Sequence, residues 1–167
     1  MNIVFYLASG VAIVSTILAI SRLSAIHALL YLITSLLSVA LIFFTLGAPF
    51  IAALETIVYA GAIMVLFIFV VMMLNLGERA IQQESQWLSP GIWIGPTVLS
   101  VLLLGELIYT LGVAGGDNQL PAAALVAPKQ VGITLFGPYL LGVELASMLL
   151  LAGLVGAYYL GHRDVED

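Results

Sequence analysis

No cysteine occurs among the 167 residues. Its absence excludes disulfides, thiolate-held iron–sulfur clusters and cysteine zinc sites on this chain. Charge is almost as scarce: Asp, Glu, Lys and Arg make up 8% of the sequence, where an ordinary soluble domain carries about 25%. Only four residues are Lys or Arg, so there is no basic patch for nucleic acid. The two histidines, His27 and His162, each sit at the edge of an apolar run. Haem wants axial ligands at depth and facing each other, which two such histidines near one interface do not provide. His27 therefore reads as a polar interfacial residue. Walker sequences, glycine-rich dinucleotide loops and metal-ligand clusters are missing too, as are a fixed-period repeat and the inverted pair of broken helices that marks many transporters.

What the chain has is apolar surface. Hydrophobic residues make up 63% of it and the mean hydropathy is +1.21. A soluble fold of this size could not hide so much, so the solvent must be lipid, and residues 1–167 form a single membrane domain. Five apolar runs stand out, at about 3–20, 25–46, 51–76, 92–113 and 138–160. Each is long enough to cross a hydrocarbon core, which takes about 20 helical residues. Open strands would leave backbone groups unpaired in lipid, so the expected fold is all-α, with five transmembrane helices. The first run lacks a basic leader and exceeds the roughly 7–15 apolar residues of a signal peptide, so it reads as a retained span.

The connections differ in kind. Gly47-Ala48-Pro49 predicts a very tight turn. A polar segment, Gly77–Ser89, follows the third run, and the longest loop extends from Gly115 through Lys129. Five spans put the termini on opposite sides. The positive-inside rule then places the N-terminus outside and the C-terminus in the cytoplasm, with Arg22, Arg79 and Arg163 inside and Lys129 outside. Trp87, Trp93, Tyr109, Tyr158 and Tyr159 lie near run ends, where interfacial aromatics belong. The net charge of -5 resides mostly in loops and tail.

Three carboxylic acids interrupt the runs: Glu55, Glu106 and Glu144. An acid inside a span is costly and is read by default as functional or paired. No Lys or Arg lies within any run, so ionised acids would need polar groups, water or another chain as partners. Glu55 lies about one turn inside the third span. On regular helix spacing it shares a face with Ala52, Tyr59, Ala62 and Leu66. Glu55, Tyr59 and Glu144 are the candidates for a proton path, although a carboxyl near a helix end and a packing tyrosine would look the same. Glu106 lies toward the end of the fourth run and is expected to snorkel to the interface. The fifth run carries Gly142-xxx-Ala146 and Ala152-xxx-Gly156, spacings that let neighbouring helices approach closely.

At these residues a family resemblance emerges. ALETIVYAGAIMVLFIFVVMMLNL, ending at Leu76, resembles the third helix of subunit J of bacterial respiratory complex I, the proton-pumping NADH:quinone oxidoreductase, whose animal counterpart is ND-six. HALLYLITSLLSVALIFFTLGAPF from His27 is similar to the family's second helix. VGITLFGPYLLGVELASMLLLAGLVGA from Val131 is similar to its fifth, and QWLSPGIWIGP, Gln86–Pro96, to the entry of its fourth. The resemblance implies a membrane-arm subunit in the bacterial inner membrane, beside subunits A and K, close to H and N, with L a further candidate neighbour. It implies no cofactor on this chain, with FMN, iron–sulfur clusters and quinone elsewhere in the complex. It also implies that the third helix can carry a π-bulge around Tyr59, Ala60, Gly61, Ala62, Ile63, Met64 and Val65. Conversion of that bulge to regular helix would accompany opening and closing of the enzyme. A π-bulge puts one extra residue in a turn, so its loss shifts the downstream register by about 100°. The fourth run and the loop Gly112–Lys129 resemble the family less, and Glu106 stands where an apolar residue is expected. Two other classes remain open: a structural or assembly subunit without a coupling role, and a subunit of a related cation/proton antiporter or membrane hydrogenase.

Overall fold

The computed structural model describes residues 2–74, 90–114 and 126–161, and every regular element among them is helical. Among the described residues, five helices are long and apolar enough to cross a membrane: Ile3–Ser21, Ala25–Thr45, Pro49–Met73, Trp93–Gly112 and Leu140–Gly161. The polar segment Gly77–Ser89 with Arg79 and Trp87 lies outside the described residues, as do residues 115–125 and the tail with His162 and Arg163.

The chain divides into two compact units, with the boundary after Leu125. In the first, α1 (Asn2–Ser21) turns at residues 22–24 into α2 (Ala25–Thr45). The exit from α2 accounts for its carbonyls one by one. Gly47 adopts φ 82°, a left-handed conformation that glycine takes without a Cβ penalty. The Ala48 N–H reaches back to the Phe43 carbonyl at 3.0 Å and the Gly47 N–H to Phe44 at 3.1 Å, the paired bonds of a Schellman cap. Pro49 then opens the next helix at a position where its missing N–H costs nothing. The predicted tight turn is thus a helix stop and a helix start sharing three residues.

The third span has three consecutive parts: α3 (Pro49–Leu54), a nine-residue π-helical segment (Glu55–Ile63) and α4 (Met64–Leu74). The fourth is α5 (Pro90–Ala114), with Pro96 inside it. Helix α2 is the hub of this unit, packing against α1, α3, the π segment, α4 and α5.

The α1–α2 contact shows how helices associate when lipid is as apolar as the side chains. Small residues let backbones approach, and hydroxyls bond across the gap. Val4, Ala8, Val11 and Ser15 are buried along one face of α1, at the i, i+4, i+7, i+11 spacing of a helical stripe. Opposite them, Ser38 donates to the Ala8 carbonyl at 2.5 Å. The Ser35 hydroxyl donates to the Ala12 carbonyl at 3.2 Å and lies 2.8 Å from the Thr16 hydroxyl. Leu103 of α5 closes the core over Val4, Ala8, Val11 and Leu41.

Where α5 begins, it docks on the other end of α2. Tyr31 is 2% exposed. A Cβ on Gly95 would collide with its hydroxyl, so glycine is what lets α5 lie against this ring. The Arg22 guanidinium covers the Tyr31 ring at 5.4 Å, and His27 meets Trp93 edge-on at 6.2 Å. His27 is therefore buried against an aromatic ring in the first turn of α2, near the helix end where its sequence position put it. Helix position sets depth, but Trp93 from α5 supplies the cover.

The second unit contains α6 (Pro128–Leu135) and α7 (Leu140–Gly161). Lys129 was expected in the long loop. It lies instead in the first turn of α6, which Pro128 opens. The break between the two helices contains Pro138, which has no N–H to offer a continuing helix.

The hydroxyl seam is testable. Ser38→Ala is expected to cost about 1 kcal/mol, the scale of one interhelical hydrogen bond in a membrane. Ser38→Leu is expected to cost about 1–3 kcal/mol more through overpacking against Ala8. The thermal unfolding midpoint of the purified protein should fall in the order wild type, Ser38→Ala, Ser38→Leu.

Candidate functional site in the third span

At the entry to the π segment, the Glu55 N–H still bonds the Ile51 carbonyl, four residues back. At the exit, the Met64 N–H bonds the Tyr59 carbonyl, five residues back. The register has changed by one residue in between, which defines a π turn. Thr56 supports the change. Its hydroxyl donates to the Ala52 carbonyl at 3.0 Å, so this carbonyl keeps a side-chain donor where the backbone pairing shifts. A Cβ on Gly61 would lie 3.2 Å from the Thr56 carbonyl, again five residues back. Glycine relieves that tight approach.

The π segment also explains which residues of the span are buried. Ala52 and Met64 are its buried positions, and they lie on elements that pack against α2. In a regular helix, twelve residues advance about 1200°, leaving the two side chains about 120° apart. The wide turns take back about one residue's rotation, roughly 100°, and both ends of the span can then face α2. The regular-helix face drawn through Glu55, Tyr59, Ala62 and Leu66 is corrected accordingly. It holds as far as Glu55 and drifts beyond it.

The candidate residues distribute as follows. Glu55 is half-buried and begins the π segment. Tyr59, Ala60, Gly61, Ala62 and Ile63 share that segment with it, whereas Met64 and Val65 belong to α4. Tyr59 is half-exposed. Glu144 is exposed on α7, in the other unit. Among the described residues no three His, Cys, Asp or Glu side chains gather as a metal site would require.

Glu106 departs from expectation. It does not snorkel: it is 7% exposed, and both carboxyl oxygens are shielded without a hydrogen-bond partner. The reason is its place on α5, one turn beyond Leu103 on the stripe that closes the α1–α2 core. Thr110 does not help it, because its hydroxyl donates to the Glu106 backbone carbonyl at 2.7 Å. The spacing Leu99, Leu103, Glu106, Thr110 was present in the sequence and marks this face. The Ala8–Ser15 and Ser35–Ser38 stripes of small and hydroxyl residues were similarly available and unread.

The family model for NADH-ubiquinone/plastoquinone oxidoreductase chain 6 matches residues 15–160, which include all of α2, the whole third span and α5. The chain belongs to this family. A chain 6 relative from Pseudomonas aeruginosa, NADH-quinone oxidoreductase subunit J, is 56% identical over 167 residues, the full length of both chains. The subunit J of Escherichia coli K12 is 54% identical over 164 residues, 98% of this chain and 88% of that protein. That of Buchnera aphidicola subsp. Schizaphis graminum is 50% identical over 161 residues, 96% of this chain and 98% of that one. The match thus spans the π segment, the buried Glu106 and both units of this chain 6 family member.

A buried carboxyl without a donor should be a liability that an apolar residue removes. Glu106→Leu is expected to raise stability by about 1–3 kcal/mol, the desolvation cost of an unsatisfied buried polar group. Glu106→Lys is expected to lower the yield of assembled protein. Thermal retention of the subunit in the purified complex measures both. A Glu106→Leu variant less stable than wild type would show that the carboxyl has a partner.

Proposed function

We propose that this chain is a membrane-arm subunit of the proton-translocating NADH:quinone oxidoreductase, respiratory complex I, and that its third span is a conformational and proton-path element of the enzyme. Family membership over most of the chain supports the first part. The π-helical segment that begins at Glu55 carries the second. A π segment is a place where a span can change register without breaking. Its conversion to regular helix would turn the residues beyond it by about 100° relative to those before it. Glu55, at the fixed end, would stay in place while Tyr59 and the residues after it moved. A half-buried acid beside such a joint is suited to exchanging a proton in one state and being cut off in the other.

The subunit then resides in the bacterial inner membrane with its N-terminus outside, the orientation that keeps three of its four basic residues in the cytoplasm. Its partners are subunits A, K, H and N, with L as a further candidate, together with membrane lipid. FMN, iron–sulfur clusters and quinone are held elsewhere in the complex. Glu144 is the second proton-path candidate.

One deletion separates a coupling role from a purely structural one. Removing Ala60 shortens the span by a residue and permits an unbroken α-helix. Ala52 and Met64 are then eleven residues apart, about 20° around a regular helix, so both remain on the α2 side. The deletion variant is expected to assemble and to lose proton pumping coupled to quinone reduction, and Glu55→Gln is expected to lower pumping. Both are measured in proteoliposomes with a pH-sensitive dye alongside NADH oxidation. Normal pumping in both variants would leave the span with a structural role only.

A further inference from the structure

Among the described residues, Glu106 is the one carboxylic acid that the helices of its own unit seal. It lies inside the fourth span, Trp93–Gly112, and both of its oxygens are shielded without a hydrogen-bond partner. The shielding side chains belong to this chain, so a neighbouring subunit cannot reach either oxygen to supply a donor. We propose that Glu106 is a proton-binding site: it is buried as the neutral carboxylic acid, and α5 takes up one proton when it docks on α1 and α2.

In water at neutral pH a glutamate is ionised roughly 500 to 1. That preference rests on hydration, and the buried form keeps it only with hydrogen-bond donors or a cation nearby. An isolated carboxylate in an apolar interior costs far more than holding the proton, so the group neutralises. The helices packed against α5 offer no compensating charge. The titratable side chain of α1 is Tyr6, which is exposed. Those of α2 are His27 and Tyr31, at the end where α5 begins. Gly95, which meets Tyr31, precedes Glu106 by eleven residues, about 16 Å of helix. Arg22 lies over that same Tyr31 ring. Tyr109, on α5 itself, is exposed. The third span carries Glu55 and Tyr59, neither of which stabilises a second negative charge. Lys129 belongs to the second unit.

Docking and proton uptake are then one event. Before α5 is in place, the solvated side chain is a carboxylate. A proton leaves water or buffer and bonds to one carboxylate oxygen, and no bond within the protein breaks. The neutral acid can join the stripe on which Leu103 closes over Val4, Ala8, Val11 and Leu41. The ionised acid holds α5 away from it. The docked form binds one proton more than the undocked form, so docking weakens as pH rises above the ordinary carboxyl range. The site needs only α1, α2 and α5, and it stands whether or not the third span moves. Its proton stays with the bundle and takes no part in coupling.

The test is infrared spectroscopy of the complete purified complex in lipid, at about pH 8, where an ordinary glutamate is ionised. Spectra of the Glu106→Gln and Glu106→Leu complexes are subtracted from that of wild type. Each difference should show the carbonyl stretch of one neutral carboxylic acid, present in wild type and lost in the variant. Two substitutions are used because either subtraction suffices if the other variant does not assemble. Unfolding all samples in detergent at the same pH should replace this band in the differences by that of a carboxylate. A carboxylate band in the folded difference spectra overturns the proposal. So does a neutral-acid band that survives unfolding, because the proton would then not depend on α5 being docked. NADH oxidation and proton pumping do not enter the readout, so the result is separate from the role proposed for the third span.

Discussion

In hydrocarbon, no water is available to satisfy a backbone carbonyl or N–H, so each must find its partner in protein. Much of this structure follows from that constraint. It makes every span helical. Where α2 ends, the two back-reaching N–H groups of a Schellman cap serve its last carbonyls. The constraint also explains how a nine-residue π segment can sit inside a membrane span: its backbone bonds are shifted by one residue and not lost, and Thr56 lends a hydroxyl at the seam. The same constraint gives Ser35 and Ser38 their value as contacts to the α1 backbone.

Against that background the unsatisfied groups are conspicuous. The Ser15 hydroxyl and both oxygens of Glu106 are buried without partners. Glu55 differs from Glu106 in one physical respect: it is only half-buried by the helices of its own unit, so a neighbouring chain can reach it. An acid whose surroundings are supplied by another subunit can be rewired when that subunit moves. An acid enclosed within one bundle cannot, which separates Glu106 from Glu55 as a candidate for coupled chemistry.

The spans were legible in the sequence because their signal, about 20 uninterrupted apolar residues, depends only on local composition. The Gly47-Ala48-Pro49 turn was legible for a related reason: its geometry is imposed by residues adjacent in the chain. What could not be read was lateral. Nothing near His27 in sequence announces Trp93, and the stripe through Leu103 and Glu106 does not by itself name α1 and α2 as the helices that cover it. Within the candidate site, the resemblance pointed to π geometry around Tyr59–Val65, while the structure starts it earlier, at Glu55, and returns to α-helix at Met64. Hydrophobic periodicity could not locate those limits. An almost uniformly apolar helix carries no stripe from which a phase change can be read.

The three-residue connections on either side of α2 bear on how the protein is made. The α1–α2 seam joins segments only about 30 residues apart or less, as Ser38 and Ala8 illustrate, so it is the first interhelical surface that can close while the rest of the chain is still being synthesised. The Ser35 and Ser38 hydroxyls are then satisfied within a hairpin before α5 exists. Helix α2, already anchored, presents its remaining faces in turn to the third span and to α5. Chain order and assembly order coincide, and the low sequence separation of these contacts favours rapid formation. The hub of the finished unit is thus also the template on which it is built.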